Sequence, residues 1–355
     1  MIVGDLASRL ERDAAPLRQA LQTLTRQLST GQRAETPGDM APELPRAITL
    51  RTELARREVY GTAIGQAQQR VAAVQTVLTR LTAIGREFAE EVALKLDPNA
   101  PGELSVVAER ARQALVEVGQ LLNTRHAGEY LFGGSDFLNP PIPDPDGLPA
   151  GAWATQIAAA VGGLGGGTAA TVAAATRAAV QDDSTGVTPF SGFVSDPASG
   201  LAEPRRSVPS EDGVLLPFGL FANRNAAVTS AGETAGGWSR DLMRGLMSLA
   251  ALTPAQVADR GDFQDFAVTI REGLRSATAA LGNEAGALGQ TQARLDAAVA
   301  RHEGIGLTLT RQISSIQEVD LAATLSRLQQ TQTQLEASYG AIARLGTLSL
   351  AQFLR

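Results

Sequence analysis

Two apolar heptad repeats, one at each end of the chain, constrain the fold more than any other feature of the sequence. At the amino end, apolar residues recur in alternating steps of four and three from Val3 to Leu28. At the carboxyl end the same steps run from Leu321 to Ile342, and a last step of three reaches Leu345. This spacing places apolar side chains along one seam of a helix, which is stable only when another helix covers it. We therefore expect both ends to form helices that pack together.

A proline and a proline-rich connector limit the amino-terminal helix. Pro16 is tolerated only near a helix start, and Asp13 could cap the helix there. We expect continuous helix from about residue 13 to Ser29, ended by the Thr-Gly step at 30–31. Residues 30–46 contain three prolines and therefore predict a connector between two packing units.

Three further regions carry the helical period. One apolar stripe runs from Ile64 to Val92, and a second runs from Leu104 to Leu122 after the proline-containing turn at 97–102. The short turn predicts that these two helices are antiparallel. The period returns after Trp238. One helix over residues 284–339 would extend roughly 80 Å at about 1.5 Å per residue, which predicts a rod and not a compact globule.

From about residue 135 to 238, the composition and the apolar pattern differ from those of the helical regions on either side. This region contains a proline cluster, the glycine-rich run at 162–167 and short apolar bursts. An Ala-rich stretch at 168–181 predicts a helix. Residues 206–208 and 214–220 predict two short strands on either side of a Glu-Asp-Gly turn. We expect a smaller domain of mixed structure here.

These patterns predict a mainly α fold. A long antiparallel helical rod or coiled coil is formed by the N- and C-terminal segments, and a small α+β domain is inserted in the middle. The expected divisions are an N-terminal assembly helix at 1–40 paired with 315–355, the N-terminal half of a rod domain at 41–134, an inserted outer domain at 135–238, the C-terminal half of the rod at 239–314, and a C-terminal assembly helix at 315–355.

Composition argues against several classes of function. The net charge of −6 and the 4% aromatic content do not suit a nucleic-acid partner. The chain lacks cysteine, has only two histidines and shows no metal-ligand spacing, so no metal or other cofactor is expected. No apolar stretch is long enough to span a membrane, and no secretory signal begins the sequence, so a specialised route is expected if the protein leaves the cell. We find no nucleophile and base that would predict an enzyme.

The polar face of the carboxyl-terminal helix is nearly uncharged. From Leu321 onward the only charges are Arg327, Glu336, Arg344 and the last residue. A neutral polar face favours contact on more than one side, where charges would be desolvated, although a single coiled coil with few charges explains it equally well. A second heptad at the other terminus favours the assembly surface. The expected interface residues are Leu10, Leu17, Leu21, Leu24, Leu28, Leu321, Leu325, Leu328, Leu335, Tyr339, Ile342, Leu345, Leu348, Leu350 and Phe353.

Three segments resemble one known family. The string LSTGQR at 28–33, followed by PGD at 37–39, resembles the amino-terminal signature of the flagellin superfamily. The string NTRHAGEYLFGG at 123–134 is similar to the segment that ends the rod domain in that superfamily, especially in its hook-associated branch. Residues 318–350 resemble the carboxyl-terminal helix of the hook-associated protein 3 family, whose members join hook to filament.

The resemblance implies a structural subunit of the bacterial flagellum at the hook–filament junction. Implied partners are the preceding hook-associated protein, flagellin, copies of the same chain, and an export chaperone on the carboxyl-terminal helix. The implied location is extracellular, after a cytoplasmic stage and type III export. A divergent flagellin that forms the filament itself is the alternative. The opening Met-Ile-Val-Gly and the Ala-Glu-Thr at 34–36 differ from the strings usual in flagellin, which favours the junction subunit.

Overall fold

A computed structural model of the protein describes residues 2–34, 36, 42–96, 101–165, 168–195 and 203–353. The chain divides into two compact units. The first combines Met1–Val59 with Arg301–Arg355, and the second is Tyr60–Ala300. The fold is mainly α, its two long terminal helical regions pack together, and a small two-stranded sheet is inserted, as the sequence predicts.

The helices and strands follow one another in this order. The helices are α1 (Ile2–Thr30), α2 (Leu44–Lys95), α3 (Pro101–Leu122), α4 (Ala152–Gly162), α5 (Ala169–Gln181), α6 (Gly192–Ser195), α7 (Trp238–Ala251), α8 (Arg260–Gln317) and α9 (Leu321–Phe353). The strands are β1 (Arg125–His126), β2 (Glu129–Tyr130), β3 (Ser207–Glu211) and β4 (Val214–Pro217). Short 3₁₀ helices occupy Leu148–Ala150 and Pro254–Ala258. Searched over the described residues, no helix is long and apolar enough to cross a membrane.

The amino-terminal helix begins earlier than the sequence predicts. It starts at Ile2 and contains Pro16 in its interior, so the expected start near residue 13 and the expected cap at Asp13 are both wrong. An interior proline costs a helix about 3 kcal/mol. Helix α1 packs along α9, and this packing offsets the local cost. The expected end at residues 30–31 is confirmed, because Gly31 has a left-handed φ of 69°.

The antiparallel pairing of α2 and α3 is confirmed by ion pairs between them. Arg80 binds Glu117, and Arg110 binds both Glu87 and Glu91, so residues later in α2 meet residues earlier in α3. The turn at 97–100 and the connector at 37–41, both predicted from their prolines, lie outside the described residues.

A tight hairpin follows α3. The β1 and β2 strands pair antiparallel through Ala127 and Gly128, whose φ angles are 51° and 85°. Two successive positive φ values are the geometry of a type I′ turn, whose twist matches that of paired strands. The hairpin brings Glu129 back toward α2, where Arg70 binds it.

The inserted region contains the predicted elements and two helices that the sequence pattern did not reveal, the four-residue α6 and the longer α4. The Ala-rich helix is α5, capped by Thr168, whose side chain accepts a hydrogen bond from the Thr171 amide. The two strands are β3 and β4, although β4 ends at Pro217 because the amides of Phe218 and Gly219 both bind the Arg206 carbonyl. Helix α4 is so rich in alanine and apolar residues that it shows no polar face.

The core of the second unit is organised around α7. Every residue from Trp238 to Leu249 is buried, including Arg240, Asp241 and Arg244. Helices α3, α4 and α5 all pack against it, so the inserted region and the surrounding helices share one continuous core. At Gly245 an added Cβ would lie 2.5 Å from Leu274 Cδ2, so a side chain there would clash with α8.

The buried charges of α7 are all partnered. The Arg240 guanidinium donates two hydrogen bonds of 2.9 Å to the Asp183 carboxylate and lies over the Trp153 and Phe190 rings. Arg244 donates to Glu233 Oε1 at 2.5 Å. These pairs connect α7 to the inserted region, and they satisfy the requirement that buried charges be paired.

Candidate assembly interface

A short backbone pairing joins the end of α1 to the start of α9 in the first unit. Gln32 and Glu318 form an antiparallel bridge, the Arg33 amide donates to the Gln317 carbonyl at 2.7 Å, and the Val319 amide donates to the Gly31 carbonyl at 3.0 Å. The chain between α8 and α9 therefore cannot continue as helix, and α8 ends at Gln317. This pairing aligns the two terminal seams.

Helix α9 has its own start signal. One oxygen of Asp320, Oδ1, accepts hydrogen bonds from the amides of Ala322 and Ala323, both at 3.0 Å. An aspartate at this position satisfies amides that have no partner inside the helix and complements the positive end of the helix dipole. Residues 318–320 therefore end one helix and cap the next.

The seam between α1 and α9 is only partly covered. Ala14 and Thr324 are buried, and the Arg18 guanidinium lies 5.6 Å from the centre of the Tyr339 ring. The predicted interface residues with intermediate exposure are Leu17, Leu21, Leu24, Leu28, Leu328, Leu335 and Ile342. Pairing the two helices thus leaves every one of these apolar side chains in partial contact with solvent.

Three of the predicted interface residues have about half of their surface exposed. The exposed fractions are 53% for Leu321, 44% for Leu325 and 42% for Tyr339. The side chains of Leu10, Leu345, Leu348, Leu350 and Phe353 lie outside the described residues. Large apolar side chains on a helix that already has one partner are the surface expected to bind a further partner.

The charge-poor face of α9 is also in solvent within the single chain. Gln329, Gln330, Gln332 and Gln334 are exposed. A face of neutral amides loses little solvation free energy on burial compared with a charged face, so it is suited to contact with another subunit.

Exposed apolar residues in the first unit that sequence reasoning missed lie on α2 and α8. Ile48 is 55% exposed, Val59 68% and Leu307 60%. Each stands outside the apolar stripe of its own helix, so a search for periodicity passes over it. Together with the α9 residues, they give this unit exposed apolar side chains on three helices.

No group of three or more His, Asp or Glu side chains that could hold a metal ion occurs among the residues described. His126 lies in the β1–β2 hairpin, and His302 is buried on α8 with 4% exposure.

The acids with shifted pKa values lie in the second unit. Burial alone would raise the pKa of Glu233, but hydrogen bonds from Arg177 and Arg244 outweigh it and lower the pKa. Burial raises the pKa of Asp241, whose carboxylate accepts hydrogen bonds from the Thr234 hydroxyl and the Ala235 amide. Glu233 and Asp241 hold the inserted region against α7, so their charges have a structural role.

The fold and the partly exposed seam define a helical protein whose terminal helices keep apolar surface uncovered in the single chain. The bacterial flagellin N-terminal helical region matches residues 6–136, and the bacterial flagellin C-terminal helical region matches residues 272–354. The chain belongs to the flagellin superfamily, whose members are structural subunits of the extracellular flagellum that self-assemble into its polymers. No curated protein gives a significant match to the chain.

Proposed function

We propose that this flagellin-superfamily subunit joins the hook to the filament. The observation that carries the assembly role is the partly covered α1–α9 seam, with Leu321, Leu325 and Tyr339 exposed. The junction position rests on the resemblance of residues 123–134 and 318–350 to the hook-associated branch. A junction subunit needs different partners on its two sides, and contacts made head to tail meet this need because they use different surfaces of each subunit.

The proposed partners follow from this position. They are the preceding hook-associated protein on one side, flagellin on the other, and copies of the chain around the junction. We further propose that an export chaperone covers the α9 seam in the cytoplasm, since an exposed apolar seam otherwise associates prematurely. Export through the flagellar type III channel then delivers the chain to the cell exterior.

The alternative is a divergent flagellin that polymerises into the filament. The family matches at the two ends of the chain suit both roles equally. Gene deletion separates them. Loss of a junction subunit should leave intact hooks and should release flagellin into the medium as monomer, whereas loss of the filament subunit removes that flagellin altogether. A deletion strain that still grows filaments contradicts the junction role.

A truncation tests the interface itself. A chain lacking residues 321–355 should remain helical, because the core of the second unit is made by other residues, but should no longer be incorporated or bind its chaperone. Incorporation is measured by electron microscopy of flagella from the complemented deletion strain. Normal flagella with the truncated chain contradict the assignment of α9 as the assembly surface.

A further inference from the structure

A cleft in the second unit lies among α2, the β1–β2 hairpin and β3. Its volume is about 510 Å³. Arg70 of α2, His126 and Glu129 of the hairpin, and Arg206 just before β3 line one part of it, with Gln66 and Gln69 beside them. None of these residues belongs to the terminal seam that carries the proposed assembly role.

Two guanidinium groups in this cleft share a single carboxylate oxygen. Arg70 Nη1 donates to Glu129 Oε2 at 2.7 Å, and Arg206 Nη1 donates to the same oxygen at 2.6 Å. Arg70 Nη2 donates to the Tyr130 carbonyl at 2.7 Å. The group of two arginines and one glutamate therefore carries a net charge of +1. In a chain of net charge −6 this cleft is a local cationic site.

The arginine on α2 is largely dehydrated. Arg70 is 6% exposed, and its pKa is lowered first by burial and then by the positive charge of Arg206, while Glu129 opposes both effects. A buried cation that shares its counterion with a second cation is under-compensated, and a further oxyanion would improve the balance. Guanidinium groups bind carboxylates strongly because their N–H donors match the carboxylate oxygens.

Most of the remaining wall of the cleft is apolar. Ala63, Ala67, Val208 and Phe218 line it. Such a wall suits a short aliphatic chain attached to the anionic group and gives little to a bare inorganic ion. We propose that the cleft binds a carboxylate carried on a short aliphatic chain, either on a free small dicarboxylate or on an acidic side chain of another subunit. This site is independent of the junction role.

Glutarate is the probe for the monomer, added at constant ionic strength maintained with NaCl. The signals of the His126 ring in NMR spectra report on the cleft, and they are easily assigned because the chain has two histidines and His302 lies in the other unit. We expect a saturable shift of the His126 signals. Arg206→Gln should weaken glutarate binding about tenfold or more, since it removes a hydrogen bond to a charged group. Arg86→Gln, an exposed arginine on the same helix as Arg70, should leave the affinity within about twofold.

Glu129→Gln gives the sharpest result, because it has the opposite sign. It removes the internal carboxylate that occupies both arginines, so glutarate should bind about tenfold more tightly to this variant. A merely structural ion pair would give no gain. The proposal is overturned when glutarate produces no saturable shift in the wild type and in Glu129→Gln, or when Arg86→Gln weakens binding as much as Arg206→Gln does.

Assembly assays distinguish the two sources of the carboxylate. If a neighbouring subunit supplies it, glutarate and Arg206→Gln should each slow polymerisation, and Arg86→Gln should not. If a free dicarboxylate is the ligand, polymerisation should proceed at the wild-type rate in Arg206→Gln while glutarate binding to the monomer is still lost. Each result supports the site and identifies its occupant.

Discussion

The two units use leucine differently. In the second unit Leu115, Leu242 and Leu274 have no exposed surface, whereas in the first unit Leu321 and Leu325 are about half exposed. The second unit also partners its buried charges, as Arg240 and Asp183 illustrate. The second unit therefore completes its core within one chain, while the terminal helices of the first unit leave apolar surface uncovered. Under the proposed function, stability and assembly belong to separate parts of the protein.

Truncation of a core leucine should produce the largest loss of stability. Leu115→Ala removes a fully buried side chain of α3 and should lower the free energy of unfolding by about 3 kcal/mol. Urea unfolding followed by tryptophan fluorescence measures this directly, because Trp153 and Trp238 both lie in the second unit. Val106→Ala, 58% exposed on the same helix, is the control and should cost less than about 0.5 kcal/mol. Equal losses in the two variants would remove the basis for calling this core complete.

Removal of a partnered charge should have the next largest effect. Glu233→Gln weakens the hydrogen bonds from Arg177 and Arg244 and should cost about 2 kcal/mol at pH 7. Because the folded state lowers the pKa of Glu233, its contribution is present above the unfolded pKa near 4.5 and is lost as the pH falls through the lower folded value. The stability difference between wild type and Glu233→Gln should therefore shrink below about pH 4.5.

The control for this titration is Glu272→Gln, an acid with 45% side-chain exposure that pairs with Arg275 on α8. It should change stability by less than about 1 kcal/mol at any pH. A difference between wild type and Glu233→Gln that grows on acidification would contradict the assigned role of Glu233.

A cap substitution in the first unit should have a smaller and local effect. Asp320→Ala removes the acceptor for the Ala322 and Ala323 amides and should cost about 1 kcal/mol. Amide hydrogen exchange should show faster exchange in the first turns of α9. Ser326→Ala, an exposed substitution on the same helix, should leave these rates unchanged. Unchanged exchange in Asp320→Ala would show that the backbone pairing at residues 31–33 and 317–319 fixes this start without the cap.

The smallest effect on folding should come from the exposed seam. Leu325→Ala should change the stability of the monomer by less than about 1 kcal/mol because the side chain is 44% exposed, but it should reduce polymerisation strongly. Sedimentation of polymer measures the second effect. Val268→Ala, 45% exposed in the second unit, is a matched control and should polymerise normally. Equal polymerisation by both variants would show that the exposed α9 residues are not needed for assembly.

Local patterns account for most of the helices. The stripes from Ile64 to Val92 and from Leu104 to Leu122 predict α2 and α3, and the Glu-Asp-Gly turn predicts the β3–β4 hairpin. The early start of α1 was not predictable in this way. Proline has a fixed local cost, whereas the packing that offsets it comes from α9, more than 300 residues away in sequence.

The candidate interface was predictable in outline because it too follows from local periodicity. A heptad identifies its seam residues without any knowledge of the partner, so the leucines of α1 and α9 could be named from the sequence. The exposed fraction that each seam keeps after α1 pairs with α9 could not be predicted, because it depends on the geometry of both helices. Ile48, Val59 and Leu307 were missed since they lie outside the periodic stripes.

The sequence by itself determined that both termini are helical, which residues form their apolar seams, and that the helical period is lost in the middle of the chain. It also determined the shortage of charge on α9. Each of these is a property of residues close together in the sequence. Only the tertiary structure decided that α7 is buried on all sides, and that Arg70 and Arg206 meet at Glu129, 59 and 77 residues away. Periodicity specifies which face of an element is apolar. Which charged groups share a cleft depends on how separate elements are brought together, and no local pattern contains that information.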